Sequence, residues 1–387
     1  MMRSPADPRR SVVIVGGSIA AATATDALRA AGHEGSITVL SDEDLPPYRR
    51  PPLSKAVLTG VDTPDSVLLP ALDSSVILRC GAVAVSLDVE RSRVVLADGE
   101  QVPYDAVLLA TGARARRLSS NPTEVVLRSV SDAVALREQL LIAETLLIVG
   151  GGFLGMEIAS SARSLGVAVT VIDQDPHLVR QFGSALARHI CRAAEAQDVE
   201  LVRCSGGVDL LGDGQITAVR TAEGVVHEAD LVISAVGCRP NVEWLGTAAF
   251  ADLGGVRVDE RCLVAPYIAA AGDVVAQVDA DGRRRRTPHW ASALDQARIA
   301  ATALVRGSDA PAYQARPYFW SDQFGFEMKI AGEITAGATL VEIEGSLVER
   351  DALLQWTVEG RPVAAGSINR RVAVPKLHKL ASAEAHG

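Results

Sequence analysis

Leu146 to Asp173 reads LLIVGGGFLGMEIASSARSLGVAVTVID, and this stretch decides the fold. The short apolar run Leu146 to Val149 lacks polar alternation, as a strand buried on both faces does. It runs straight into Gly150-Gly151-Gly152-Phe153-Leu154-Gly155, which fits GxGxxG. Met156 to Leu165 then predicts a helix, and Val167 to Ile172 the next strand. Each glycine of the pattern has its own use: Gly150 makes the tight turn, Gly152 lets backbone N–H groups approach a pyrophosphate, and Gly155 lets helix and strand pack closely. The diphosphate would rest on the helix N-terminus, where unpaired N–H groups and the macrodipole favour an anion. Asp173 ends the next strand, where a carboxylate can take both ribose hydroxyls of an adenosine. No basic residue follows until Arg180, so a 2′-phosphate would face negative charge and NADH is favoured over NADPH. The competing reading is a glycine turn of purely structural use.

The same plan occurs near the start of the chain. Ser11 to Val15 (SVVIV) predicts a buried strand, Gly16-Gly17-Ser18-Ile19-Ala20-Ala21 a glycine turn, an Ala-rich helix follows to about Gly32, and Ser36 to Leu40 predicts the second strand. This fingerprint is degenerate. Ala21 at the third glycine position is within the pattern, whereas Ser18 at the second brings a Cβ near the phosphate, compensated if its hydroxyl donates. Asp42, two residues past the second strand, is the expected ribose acid. Two such units imply two nucleotide-type domains, not a short-period repeat. Residues 1 to 10 read as a polar arm. Arg9 and Arg10 before an apolar run resemble a secretory signal, a reading rejected because Gly16 and Gly17 split the run and the pattern continues as a helix.

Between the two units, Val76 to Asp98 alternates like antiparallel strands closed by a turn at Asp98 and Gly99, and Ala106 to Ala110 predicts a buried strand ending at Thr111 and Gly112. Leu231 to Val236 is a similar strand ended by Gly237, and Tyr267 to Ala271 another ended by Gly272 and Asp273. Ala291 to Val305 has helical amphipathicity. From about Pro311 the character changes to an aromatic cluster, Tyr318-Phe319-Trp320, and antiparallel-type strands at Leu340 to Ile343, Ala352 to Val358 and Pro362 to Ser367.

The whole-chain figures agree. With 387 residues there is room for two to three domains. At 48% hydrophobic and 22% charged residues the composition is globular, with no apolar stretch long enough to span a bilayer. Lys plus Arg number 38 against 47 acidic residues, a net charge of −9 that argues against bulk nucleic-acid binding. The cysteines, Cys80, Cys191, Cys204, Cys238 and Cys262, match neither a metal-ligand spacing nor a redox CxxC, and a reducing cytoplasm suits them. With two dinucleotide sites on one chain, an NADH and a flavin could exchange a hydride, the protein stacking the nicotinamide on the flavin ring.

The chain resembles the FAD-dependent, NADH-dependent ferredoxin reductases that serve cytochrome P450 and Rieske oxygenase systems, within the two-dinucleotide-domain flavoprotein family that includes glutathione reductase. The resemblance rests on Pro47 to Lys55 (PYRRPPLSK), Ala110-Thr111-Gly112, the GGFLGMEIA turn, Ala235 to Asn241, Ala270 to Asp273 (AAGD), His289-Trp290 through Gln296, and Phe319 to Gln323 (FWSDQ). It implies an α/β fold: two Rossmann-like domains, FAD-binding over 1–113 and 244–310 and NAD-binding over 114–243, plus a small C-terminal α+β domain over 311–387. It implies that Gly16, Ser18, Ala20, Ala21, Asp42, Arg50, Thr111, Gly112, Arg128 and Asp273 serve FAD, with Lys55 near the flavin ring and Trp290 against its edge. Gly150, Gly152, Gly155 and Asp173 would bind NADH, Glu157 would lie near the nicotinamide, and Gly237 would line a cofactor. Trp320 would shield the flavin where the partner docks. The implied partner is a ferredoxin, an iron–sulfur protein, and indirectly an oxygenase; the protein would be a monomer or weak dimer.

Bland readings compete. Glu157 in a first helical turn is favoured by the dipole in any case. Lys55 could be a solvated loop lysine, Trp290 and Trp320 core aromatics, and Arg283 to Arg286 either a solvated run or a cationic docking patch. His289 is a weaker candidate proton donor. No cysteine pair at CxxxxC spacing exists, and no cysteine lies between Arg50 and Lys55, which argues against the disulfide and peroxidase branches; Cys80 is expected as a small buried strand residue. The functional alternatives are a flavoprotein reducing a quinone or oxygen directly, and a non-catalytic dinucleotide-binding protein.

Overall fold

The computed structural model describes residues 9–246, 248–278 and 281–382, so the first eight positions of the expected polar arm lie outside it. The chain divides into two compact units, each assembled from separated segments: residues up to Arg49, Leu68–Arg114 and Arg239–Pro317 form one, and Arg50–Val67, Ala115–Cys238 and Tyr318 onward form the other. Among the described residues no helix is long and apolar enough to cross a membrane.

In the first unit a six-stranded sheet runs in the order Leu263–Ala265, Ile268–Ala270, Ala106–Leu109, Val12–Val15, Ile37–Leu40, Val76–Arg79. All neighbouring pairs are parallel except the one at the Leu263–Ala265 edge. The central strands Val12–Val15 and Ala106–Leu109 are buried at every position, as their unalternating sequences require. Small side chains let the helix Ile19–Ala30 approach its neighbour: Ala20, Ala21, Ala24 and Leu28 share a core with Ala293, Ala297, Ala300, Ala301 and Leu304 of the helix Trp290–Arg306. Val76–Arg79 corrects the expectation of an antiparallel strand, because it pairs in parallel with Ile37–Leu40 at the sheet edge. The antiparallel sheet begins later, with Ala84–Asp88, Arg93–Leu96 and Gln101–Pro103. Cys80, expected to be buried, is exposed just beyond that edge strand.

The second unit holds a parallel sheet in the order Val199–Arg203, Ala168–Asp173, Thr145–Val149, Leu231–Ser234. Its C-terminal part is a five-stranded antiparallel sheet in the order Tyr318–Gln323, Phe326–Gly332, Arg361–Ile368, Asp351–Val358, Thr339–Ser346. The helix Val374–Ser382 follows it. Leu377 of this helix shares an apolar cluster with Ala331 and Leu353 of the sheet.

Candidate dinucleotide sites and the Lys55–Glu157 cluster

The two glycine turns, one in each unit, are built on the same hydrogen-bonding pattern. Gly16 N–H donates to the Leu40 carbonyl at 2.7 Å, and Gly150 N–H to that of Ile172 at 2.8 Å; Ala110 N–H donates to Val15 and Ala235 N–H to Val149, both at 2.7 Å. Gly16 (φ +119°) and Gly150 (φ +112°) take up backbone conformations that side chains disfavour. A Cβ on Gly16 would also sit 2.1 Å from the Ala110 oxygen, and one on Gly150 2.5 Å from the Ala235 oxygen. Both glycines are therefore fixed by the strand alongside, whatever binds in front of them.

The ligand-facing side of each turn is open in the sense a diphosphate needs. Ser18 and Gly152 are the N-caps of the two following helices, Ile19–Ala30 and Phe153–Ser164, and neither helix has a side-chain cap or an acid in its first turn. Their first N–H groups thus keep their donor capacity and the dipole is uncompensated, so both cradles fit an anionic dinucleotide. Ser18 (φ −118°) and Gly152 (φ −81°) are both in extended backbone. The Cβ of Ser18 therefore introduces no strain, and its hydroxyl is not consumed as a cap. Ala20 and Ala21 are buried in the helix contact, leaving their backbone as the part that can serve a ligand.

The helix after the second turn begins at Phe153, earlier than the expected Met156, which puts Gly155 in its first turn and Glu157 in its second. A Cβ on Gly155 would lie 1.8 Å from the Gly150 carbonyl oxygen. Asp173 closes the strand as expected and accepts from Gly151 N–H at 2.5 Å, so its carboxylate leans over the turn. In the first unit the register places Ser41 where Asp173 stands in the second, while Asp42, the next residue, is exposed.

Beneath the second turn lies His177, which sequence reasoning did not single out. Its ring occupies the space a Cβ on Gly151 would need, 2.2 Å away, and its Nε2 donates to the Val171 carbonyl at 3.2 Å in the neutral tautomer. Burial holds this imidazole below its ordinary range. The unfolded chain therefore binds more protons than the fold once pH drops through about 6.5, and stability falls as pH falls through that value. Buried His33 in the first unit contributes with the same sign. Urea unfolding of the His177→Gln variant should show a shallower loss of stability between pH 7 and pH 5 than the parent; an unchanged slope would remove His177 from the account.

The segment after His177 is held from the C-terminal sheet. The helix Val179–Glu195 breaks at Gly183 (φ +73°, ψ 164°), and the Phe182 carbonyl accepts from Trp356 Nε1–H at 3.1 Å. Phe182 also packs edge-on to Phe153 at 5.2 Å, with Phe319 4.9 Å from Phe153.

A buried polar cluster of this unit gathers residues from three distant segments. Glu157, only 7% exposed, accepts from Ser54 Oγ–H at 2.6 Å and from Lys55 Nζ at 2.8 Å on Oε2, and from Ser321 Oγ–H at 2.6 Å on Oε1. Lys55 also donates to the Pro51 carbonyl, and its side chain is 18% exposed. The dipole reading of Glu157 is thereby corrected: the residue lies beyond the first turn, and its charge is met by three side-chain donors. Ser54 and Ser321 stand inside the motifs PPLSK and FWSDQ, but no local pattern signals that they share one carboxylate. Trp320 points to the opposite face of its strand, half-buried, and stacks on Tyr318 at 5.9 Å.

The remaining candidates are spread over both units. Arg50 Nη1 donates to the Arg128 backbone carbonyl at 2.8 Å, which ties the Arg50 side chain to the Arg128 main chain within the second unit. In the first unit Thr111 and Asn241 are joined reciprocally, Thr111 Oγ1 to the Asn241 carbonyl and Asn241 Nδ2 to the Thr111 carbonyl, each at 2.8 Å, with Gly112 at φ +65°. Gly237 (φ +97°) has open space where a Cβ would stand. The Ala270–Asp273 loop is pinned by Gln296 Oε1, which accepts from Gly272 N–H, and by Arg286 Nη2, which donates to the Asp273 carbonyl. Trp290 opens the helix that carries Gln296, after His289 at the N-cap, whose imidazole burial keeps below its ordinary range. The arginine run 283–286 is divided, since Arg284 pairs with Asp252 at 2.6 Å and Arg286 turns to Asp273.

Two glycine-turn nucleotide folds and a C-terminal antiparallel sheet define a class of oxidoreductase. The chain belongs to the pyridine nucleotide-disulphide oxidoreductase family, whose model matches residues 10–297, and a second model, described as reductase C-terminal, matches residues 318–386. Among relatives, rhodocoxin reductase of Rhodococcus erythropolis is 35% identical over 87% of this chain and 81% of its own length. The ferredoxin–NAD(+) reductase component of the p-cumate 2,3-dioxygenase system of Pseudomonas putida is 33% identical over 85% of this chain and 83% of its own length. Among solved structures, the covalent putidaredoxin reductase–putidaredoxin complex is similar with a TM-score of 0.86 and 29% identity, covering 96% of this chain and 93% of the other.

Proposed function

We propose that this chain is an FAD-dependent reductase that takes electrons from NADH and delivers them to a ferredoxin feeding a P450 or Rieske-type oxygenase. One observation carries the reading: Lys55, Glu157 and Ser321, each from a separate family-like motif, meet in a single buried cluster. The relative named as a ferredoxin–NAD(+) reductase component of a dioxygenase system supports it. The free cysteines support a reducing, cytoplasmic setting.

The first glycine turn holds FAD through the N–H groups of Ser18 to Ala21, with Gly16 shaping the turn that presents them, Asp42 on the ribose and Thr111, Gly112, Arg50, Arg128 and Asp273 along the rest. Gly150, Gly152 and Gly155 cradle the NADH diphosphate, Asp173 takes the ribose, and Gly237 leaves room for bound cofactor. When bound, the cofactors supply hydride transfer from nicotinamide to flavin and onward release of single electrons. The chain's own part is orientation. Lys55 and Glu157 present an opposite-charge pair at the reacting rings, Trp290 closes one edge of the flavin, and Trp320 excludes water where the partner docks. The domain division read from the sequence, FAD-binding, NAD-binding and C-terminal, is part of this proposal.

Purified protein should be yellow, should bleach anaerobically with NADH, and should reduce cytochrome c much faster when a ferredoxin is added. Bleaching without any ferredoxin stimulation would point to a direct quinone or oxygen reductase. Absence of bleaching would leave only a dinucleotide-binding role.

A further inference from the structure

We propose that Ser321 is a positioning residue for Glu157, a hydroxyl delivered by the C-terminal sheet to fix the plane of the carboxylate that serves the nicotinamide. The inference rests on the reading of Glu157 given above. A glutamate's terminal torsion is broad, so a carboxylate keeps one orientation only when donors hold both oxygens. Here Oε2 has Ser54 and Lys55, whereas Oε1 has the Ser321 hydroxyl, and Ser321 is fully buried. That hydroxyl is itself aimed: Gln323 Nε2 donates to Ser321 Oγ at 2.9 Å, which directs the serine proton to Glu157.

The strand is built to make this delivery. Side chains alternate along Tyr318–Gln323, so Phe319, Ser321 and Gln323 share one face and Tyr318, Trp320 and Asp322 the other. Phe319 packs on Phe153 and Phe182, and just past the strand Phe324 N–H donates to Ser160 Oγ at 2.8 Å, three residues along the helix from Glu157. A slip of one residue would replace Ser321 with Trp320 or Asp322 at the carboxylate, so the anchors on either side define the register.

Calorimetric titration of the flavin-loaded protein with NAD+ and with ADP-ribose, which lacks the nicotinamide, tests this. Ser321→Ala should weaken NAD+ about tenfold, the worth of one hydrogen bond to a charged group, and ADP-ribose less than about twofold. Ser321→Thr should restore most of the NAD+ affinity. In a Glu157→Gln background, Ser321→Ala should add less than about twofold, because both changes act through one group. Equal losses for the two ligands, no loss for either, or a full loss persisting in the Glu157→Gln background would overturn the assignment. If Glu157→Gln itself leaves NAD+ binding unaltered, the underlying reading of Glu157 falls and takes this one with it; if Glu157→Gln weakens NAD+ selectively and Ser321→Ala does not, Ser321 alone is dismissed. Should Ser321→Ala not fold, Ser321→Cys, of similar size and a weaker donor, should show an intermediate selective loss, and no selective loss there would count against the proposal equally.

Discussion

Gly16→Ala is expected to destabilise the protein by about 3 kcal/mol and to leave it without retained flavin after gel filtration, the sum of a strained backbone and an overpacked contact. The added methyl would have to sit 2.1 Å from the Ala110 carbonyl oxygen, and the main chains of Gly16 and Ala110 are held by hydrogen bonds to Leu40 and Val15, so neither can swing aside. Gly32→Ala is the control. Gly32 also has positive φ, +95°, but nothing lies within 4 Å of its would-be Cβ, so only the conformational penalty of about 1 kcal/mol applies. Urea midpoints of the two variants should therefore differ clearly; equal midpoints would mean that the turn yields and the frame is softer than its bonds suggest.

The second large effect is an asymmetry within the Lys55–Glu157 pair. Glu157→Leu removes the acceptor shared by Lys55, Ser54 and Ser321 and leaves a largely enclosed ammonium without its counter-charge, at a cost of about 3 to 5 kcal/mol. Lys55→Met is milder, about 2 kcal/mol, because the carboxylate keeps two hydroxyl donors. The unfolding free energies should rank parent, Lys55→Met, Glu157→Leu. The reverse order would show that the lysine, and not the carboxylate, organises the cluster.

What the sequence disclosed and what it withheld follow from the range of the interactions. Both glycine turns were legible because strand, turn and helix N-terminus are local features that a short window contains. The α/β class and the C-terminal sheet followed from strands without alternation in one region and with it in another. Val76–Arg79 was misread because an edge strand with exposed Ile77 alternates like an antiparallel one, although its pairing with Ile37–Leu40 is parallel. Glu157 is singled out by its motif as a carboxylate near the nicotinamide, while the competing helix-dipole reading is local and fails because the residue lies beyond the first turn. Its true partners stand 103 and 164 positions away in Ser54 and Ser321, a pairing that no periodicity encodes. The four consecutive arginines looked uniform for the same reason, whereas Asp252 and Asp273 from elsewhere in the chain divide them.

The matching frames of the two turns bear on how cofactor preference could be re-engineered. Because Gly16 and Gly150 make equivalent backbone bonds, the loop GGGFLG could be transplanted into positions 16 to 21 as far as its main chain is concerned. The obstacle is Leu154, which would arrive at Ala20, a buried position whose Cβ lies 3.4 Å from where one on Gly272 would stand. Interchange between the halves is thus opposed by the small niche at Ala20 and by the larger Phe153 arriving at Ile19, which packs on the same core, and a designer would need to widen that space before rewriting any ligand contact.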